Sequence, residues 1–147
     1  MNGLSYICQI GGIMSKRRIM VCITQQKSCE RLIKKGRNFG QNTSDELFVV
    51  HIAKENWRYF SSMQESDALE YLYDTSKNYD ASINVIKATD IEEALKTFAI
   101  KHKIDTIVMG ESLESDEQQN MINRLRSKIA NPLHFEIVPI GDEEVEG

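Results

Sequence analysis

The chain reads as a doubly wound α/β protein, with five parallel strands in one sheet and helices on both faces. Three observations predict this. Short apolar runs rich in β-branched residues alternate with helical patterns in the order β-α-β-α-β-α-β-α-β, and right-handed crossovers turn that order into a parallel sheet. The runs RIMVCIT at 18–24 and TIVMG at 106–110 are almost unbroken apolar, as strands covered on both faces are. The segment 105–123, DTIVMGESLESDEQQNMIN, joins a strand, a glycine, a polar loop and a helix. Doubly wound proteins place ligands at the carboxyl edge of the sheet with that arrangement.

Residues 18–24 form the central strand. Residues 27–39 follow as a helix, with Cys29, Leu32, Ile33 and Phe39 as the apolar stripe and Lys27, Arg31, Lys34 and Lys35 outside. Gly36 and Gly40 weaken that helix intrinsically, and Gly36 permits close approach to the sheet. After a turn at 42–44, LFVVHIA at 47–53 is the second buried strand. The connector 54–62, KENWRYFSS, carries Trp57, Tyr59 and Phe60, whose simplest role is to cover local core. Residues 63–79 are helical, with Met63, Leu69, Leu72 and Tyr73 at helical spacing. Residues 82–87 alternate, which suits an edge strand. Thr89 or Asp90 caps the next helix, each with a glutamate three positions on. Its buried face is Ile91, Ala94, Leu95, Phe98 and Ala99. Beyond the 106–109 strand, the last helical stripe begins at Met121 and continues through Ile122, Leu125 and Ile129. Asn131-Pro132 stops it, and Leu133, Phe135 and Ile137 alternate along a final strand.

At 147 residues the chain fits one domain with a real core. The expected layout is an N-terminal extension over 1–16, expected to be disordered, a folded domain over 17–140 and an acidic tail, GDEEVEG, over 141–147, likewise expected to be disordered. No apolar run reaches transmembrane length, and the first residues lack the basic and apolar regions of a signal peptide. Cys8, Cys22 and Cys29 make neither a metal spacing nor a disulfide framework, which fits a cytoplasmic protein. Residues 1–58 carry ten Lys/Arg against four Asp/Glu, a net +6, whereas 59–147 carry eight against eighteen, a net −10. The acidic part argues against nucleic-acid binding. The basic first helix is suited to an anion, although solvated faces explain both halves.

The motifs that carry phosphate or catalytic chemistry are missing. There is no GxxxxGK[ST], no GxGxxG after the first strand, and no HExxH, CxxC or GxSxG. The first strand ends in Thr24-Gln25-Gln26, without the acidic residues a receiver domain needs to hold magnesium, and without the SGGxDS-type loop of the α-hydrolases and ligases. His51 reads as a satisfied core residue, His102 as a cation at a helix C-terminus, and His134 as an outward position on the last strand. No nucleophile stands beside a base in the pattern, so catalysis is not expected.

The segments RIMVCIT, TDIEEALKTFAIKHKIDTIVMG and NPLHFEIVPI together resemble a universal stress protein domain, from about Arg18 to Ile140. The resemblance implies a Rossmann-like, adenine nucleotide α-hydrolase-like fold and a cytoplasmic regulatory role in stress signalling. It also implies a homodimer through antiparallel pairing of the last strands, around Leu133, Phe135 and Ile137. Within the family, the run Glu30 to Gly36, ERLIKKG, resembles the stress-protein-like domain of KdpD-type potassium sensor kinases. ATP-binding members carry Asp at the end of the first strand and G-x2-G-x9-G-[ST] after the fourth. This chain has Thr24 at the former place. At the latter it keeps Gly110 but has Leu113, Asn123 and Arg124 at the other positions. A leucine keeps phosphate away from backbone N–H groups, and Glu111, Glu114, Asp116 and Glu117 add negative charge. The sequence therefore points to a non-catalytic module acting by protein contacts, with no resident cofactor. The alternative is a sensor of ATP, AMP or cyclic di-AMP that uses Thr24, Gln26, Gly110, Ser112 and Arg124.

Overall fold

The structure is a computed structural model and describes residues 16–23, 29–42, 44–54, 62–130 and 132–139. The expectations for the N-terminal extension, for Thr24 and Gln26, for the Trp57 connector and for the acidic tail lie outside those residues. The elements are β1 (Arg18–Ile23), α1 (Cys29–Phe39), β2 (Glu46–Lys54), α2 (Ser62–Asn78), β3 (Ser82–Ala88), α3 (Ile91–Lys101), β4 (Thr106–Gly110), α4 (Ser115–Lys128) and β5 (His134–Val138). All pairings are parallel, and the strand order is β3-β2-β1-β4-β5. The fold class read from the sequence is the observed one, and 82–88 is an edge strand as expected.

Alternation along the strands divides the core in two. Ile19, Val21, Leu47, Val49 and Val108 face one side, with Cys29, Leu32 and Ile33 of α1 and Leu72 of α2 over them. Met20, Cys22, Val50, Ile52, Ile107, Met109 and Phe135 face the other, beneath Leu95 and Phe98 of α3 and Ile122 and Leu125 of α4. β1 is central, and Ile19, Met20, Val21 and Ile23 have no exposed surface.

Asp45 and Asp105, each the residue just before a strand, fix where β1 enters the sheet. Asp45 accepts hydrogen bonds from the Arg17 N–H at 2.8 Å and the Asn42 N–H at 3.2 Å. Asp105 accepts from the Arg18 N–H at 2.7 Å and the Thr106 hydroxyl at 2.7 Å. Arg18 and Lys16 both reach Glu46, at 2.9 and 3.1 Å, and the Lys16 ammonium holds the Glu46 carboxyl below its ordinary value. None of this follows from hydrophobic periodicity. The legible signal is an aspartate directly ahead of β2 and of β4.

Two helices depart from expectation. α4 starts at Ser115, six residues before its apolar stripe. Periodicity reports only the buried part of a helix, and Ser115–Asn120 buries nothing fully. Asp116 and Glu117 sit in its first turn, where the positive end of the helix dipole favours them. In α2, Tyr73 was expected on the buried stripe but is 50% exposed. Thr75 and Ser76 are buried in its place, and the Ser76 hydroxyl is satisfied by the Leu72 carbonyl at 2.8 Å. A polar residue with a helical carbonyl in reach can lie inside without an unpaired group.

Gly36 allows the approach expected of it. A Cβ there would stand 2.6 Å from Val21 Cγ2 and 3.0 Å from Leu47 Cδ1. Gly36→Ala therefore overpacks the α1–sheet contact, at about 1–3 kcal/mol, against about 1 kcal/mol gained in helix propensity. The expected result is a net loss of stability with a lower denaturant midpoint and an unchanged m-value, as checked by urea titration.

Candidate functional site

The site read from the sequence lies at the carboxyl ends of β1 and β4. Those strands are neighbours, with Ile19 level with Thr106 and Val21 level with Val108. Gly110 closes β4 beside Val138 of β5, and the Glu111 N–H continues the ladder to the Val138 carbonyl at 2.9 Å. The backbone of Gly110 is not in the left-handed region, and a Cβ there would meet only Leu32 of α1, at 3.8 Å. The glycine is thus a place of open backbone rather than one that turn geometry requires.

The loop from Glu111 to Glu114 is closed by a residue that the sequence reading missed. Gln118, one turn into α4, donates from Nε2 to the Gly110 carbonyl at 2.9 Å and accepts from the Ser112 N–H at 3.1 Å through Oε1. The Ser112 hydroxyl accepts from the Glu114 N–H at 3.0 Å. Two backbone N–H groups at this edge are therefore bound to side chains, one of the loop and one of α4. A phosphate cradle instead leaves such groups aimed at the ligand. Leu113 stands at the tip, 92% exposed, with Glu111, Glu114, Asp116 and Glu117 exposed around it. A helix start five residues downstream of a strand's last glycine, with Gln at its fourth position, was the legible sign.

Of the predicted site residues, Gly110 and Ser112 come together. Thr24 and Gln26 are outside the described residues. Arg124 lies ten positions along α4, where its guanidinium forms a two-pronged pair with Glu92 of α3, Nε and Nη2 both reaching Oε1, at 3.1 and 2.9 Å. Lys128 joins it at 3.4 Å. The Arg124 hydrogen bonds hold the Glu92 carboxyl below its ordinary value. This cluster ties α3 to α4, and the Arg124 charge is engaged there.

The remaining candidates are absorbed by packing. His51 is buried, and its Nδ1–H donates to the Ile23 carbonyl at 2.9 Å. His102 caps α3, its N–H on the Phe98 carbonyl, and its ring rests on Phe98 and Phe48 at centroid distances of 4.1 and 5.0 Å. His134 is exposed beside Glu136, at 3.3 Å. Burial pushes the Cys22 thiol up to about 12 and raises Cys29 as well, so neither is a thiolate at neutral pH. Among the described residues, no group of three His, Cys, Asp or Glu side chains can hold a metal ion. No described helix is long and apolar enough to cross a membrane. Leu133, Phe135 and Ile137 all pack on the α3/α4 side of the core. The alternation of β5 is thus used within the chain, and its outer edge offers backbone groups.

No family model matches the chain, and no curated protein matches it in sequence. Solved structures do match in shape. A universal stress protein in complex with cAMP superposes with a TM-score of 0.56 at 14% identity, over 83% of this chain and 96% of that one. The fold is shared with the universal stress proteins. Another member, from Archaeoglobus fulgidus in complex with dAMP, has a TM-score of 0.53 at 12% identity, over 88% of this chain and all of that one. The U34-tRNA thiolase NcsA of Methanococcus maripaludis, solved with its [4Fe-4S] cluster, has a TM-score of 0.57 at 12% identity. It covers 91% of this chain, which spans 56% of the thiolase. One fold therefore serves a small stress protein and part of an RNA-modifying enzyme, and function rests on the site.

Two outcomes follow from this geometry. The folded-state pKa of Glu92 lies below the ordinary 4.5, so its contribution is complete above that pH and is lost as pH falls through the folded value. Thermal melts should show Glu92→Gln less stable than wild type at pH 7, and the two should converge in acid. In a Cys8→Ser background, Cys22 and Cys29 should resist a thiol reagent at pH 8 until the protein is unfolded, which a stopped-flow labelling trace would show.

Proposed function

We propose that this chain is a non-catalytic regulatory module of the universal stress type that acts through protein contacts. The carrying observation is the Gln118 clamp, which occupies the Gly110 carbonyl and the Ser112 N–H at the edge where a nucleotide phosphate would otherwise be received. Four carboxylates around that loop oppose a triphosphate further. The outer edge of β5 is one contact surface of the reading, pairing two copies through backbone groups beside His134 and Glu136. Kinship with the KdpD-type domain belongs to the same proposal. It rests on the Glu30–Gly36 run, of which Leu32, Ile33 and Gly36 are buried against the sheet. That match is a packing signature shared by a helix and its sheet, and it carries no ligand chemistry by itself.

A second reading, a sensor of an adenine nucleotide, is favoured by the cAMP and dAMP in the complexes of two proteins of this fold. Those ligands carry a single phosphate, which asks less of the loop than ATP does. Calorimetric titration with ATP, AMP and cyclic di-AMP, with and without magnesium, separates the readings. The expected result is no heat and no thermal shift at millimolar ligand. Micromolar binding of any of the three would replace the contact reading with the sensor.

A further inference from the structure

β3 is an outer strand of the sheet, and among the described residues nothing pairs with its free edge. Along it, between β3 and α3, runs an open groove of about 780 Å3, lined by β3 on one side and by Glu93, Lys101 and His102 on the other. Proteins keep free edges short, charged or broken by proline. The other outer strand, β5, conforms: it has five residues and Pro139 follows it. β3 does not. It has seven residues, SINVIKA, with no proline, one charge at Lys87, and Val85 at its centre 47% exposed. The Asn84 Nδ2, in the groove wall, is buried without a hydrogen-bond partner.

The charges that α3 and its flanking residues bring to the groove are separated along its length, and Lys87 of β3 stands at the acidic end. α3 starts three residues beyond the end of β3 and runs back antiparallel to it. Asp90 and Glu93 therefore lie at the carboxyl end of β3, and Lys101 and His102 at its amino end. Lys87 and Lys101 have no ion-pair partner among the described residues.

We infer that a second copy of this chain occupies the edge, joined β3 to β3 in antiparallel fashion about a two-fold axis at Val85. The amino end of each β3 then stands beside the carboxyl end of the other. Lys101 and His102 of each copy face Asp90 and Glu93 of the other, so the same complementary contact is made twice, as an isologous interface requires. The two Val85 side chains meet as a cross-strand pair. A foreign strand would satisfy the backbone but not these reciprocal charges. The interface is separate from the β5 edge and does not depend on the proposed function.

Two experiments on the full chain test it. In the first, Val85→Cys and, at the other edge, Glu136→Cys are each placed in a Cys8→Ser background and mildly oxidised. Opposed residues of antiparallel strands have Cα atoms about 4.5–5.5 Å apart, within disulfide reach. Val85→Cys should give a disulfide-linked dimer on a non-reducing gel. Linkage through both edges supports the inference equally and makes the assembly open-ended, whereas linkage through Glu136→Cys alone overturns it. In the second, sedimentation should show that Glu93→Lys and Lys101→Glu each weaken self-association about tenfold, as loss of an interfacial charge pair does, and that the double reversal restores it. A chain monomeric at every concentration, or a double variant no better than the singles, refutes the interface.

Discussion

Two carboxylates fix the position of the central strand, and the rest of the sheet is built outward from it. Asp45 and Asp105 take the N–H groups of Arg17 and Arg18 on successive residues, one from the β2 side and one from the β4 side. Hydrogen bonds to a charged acceptor are among the stronger ones available to a chain, and these two act where the backbone is about to lose contact with water. They set the register of β1 against both neighbours. In a parallel sheet, a slip of one residue would turn Val21 and Met20 to the wrong faces. The α1 contact at Gly36 then tightens the same register, because only one alignment sets Val21 beneath a residue without a Cβ.

The carboxyl edge is closed by the chain's own side chains. Its strand and helix belong to a fold shared with the universal stress proteins. Here a glutamine one turn into α4 reaches back and takes both a donor and an acceptor of the loop, which leaves Leu113 outward and the carboxylates around it in water. A single side chain thus satisfies the loop from within the chain.

The fold was legible in the sequence because its signals are repeated. Three apolar runs, two alternating strands, four helical stripes and a cap at Thr89 or Asp90 all agree, and of the two candidates the Asp90 side chain accepts from the Glu93 N–H, at 3.1 Å. The misses share a physical origin. The first turns of α4 have no buried stripe, so periodicity could not see them. Thr75 and Ser76 are polar yet buried, so hydropathy placed Tyr73 inward instead. Asp45, Asp105 and the Glu92–Arg124 pair act through hydrogen bonds between segments far apart in the chain, and a linear pattern contains no record of such partners. Arg124 illustrates the limit well. Its charge was evident, but its engagement with Glu92, 32 residues away, was not.

The pairing of β1 with β4 also shapes how the chain is made. Arg18 and Asp105 are 87 residues apart, whereas β1 and β2 are joined by one short helix. As the chain emerges from the ribosome, β1, β2 and β3 can assemble early, but one side of the most apolar strand stays without its neighbour until β4 has been synthesised. Closing so long a loop adds little free energy beyond that of a shorter one, but it sets the order of events. For most of its synthesis this protein carries an exposed hydrophobic edge, and in that interval its nascent chain has the character of a chaperone substrate.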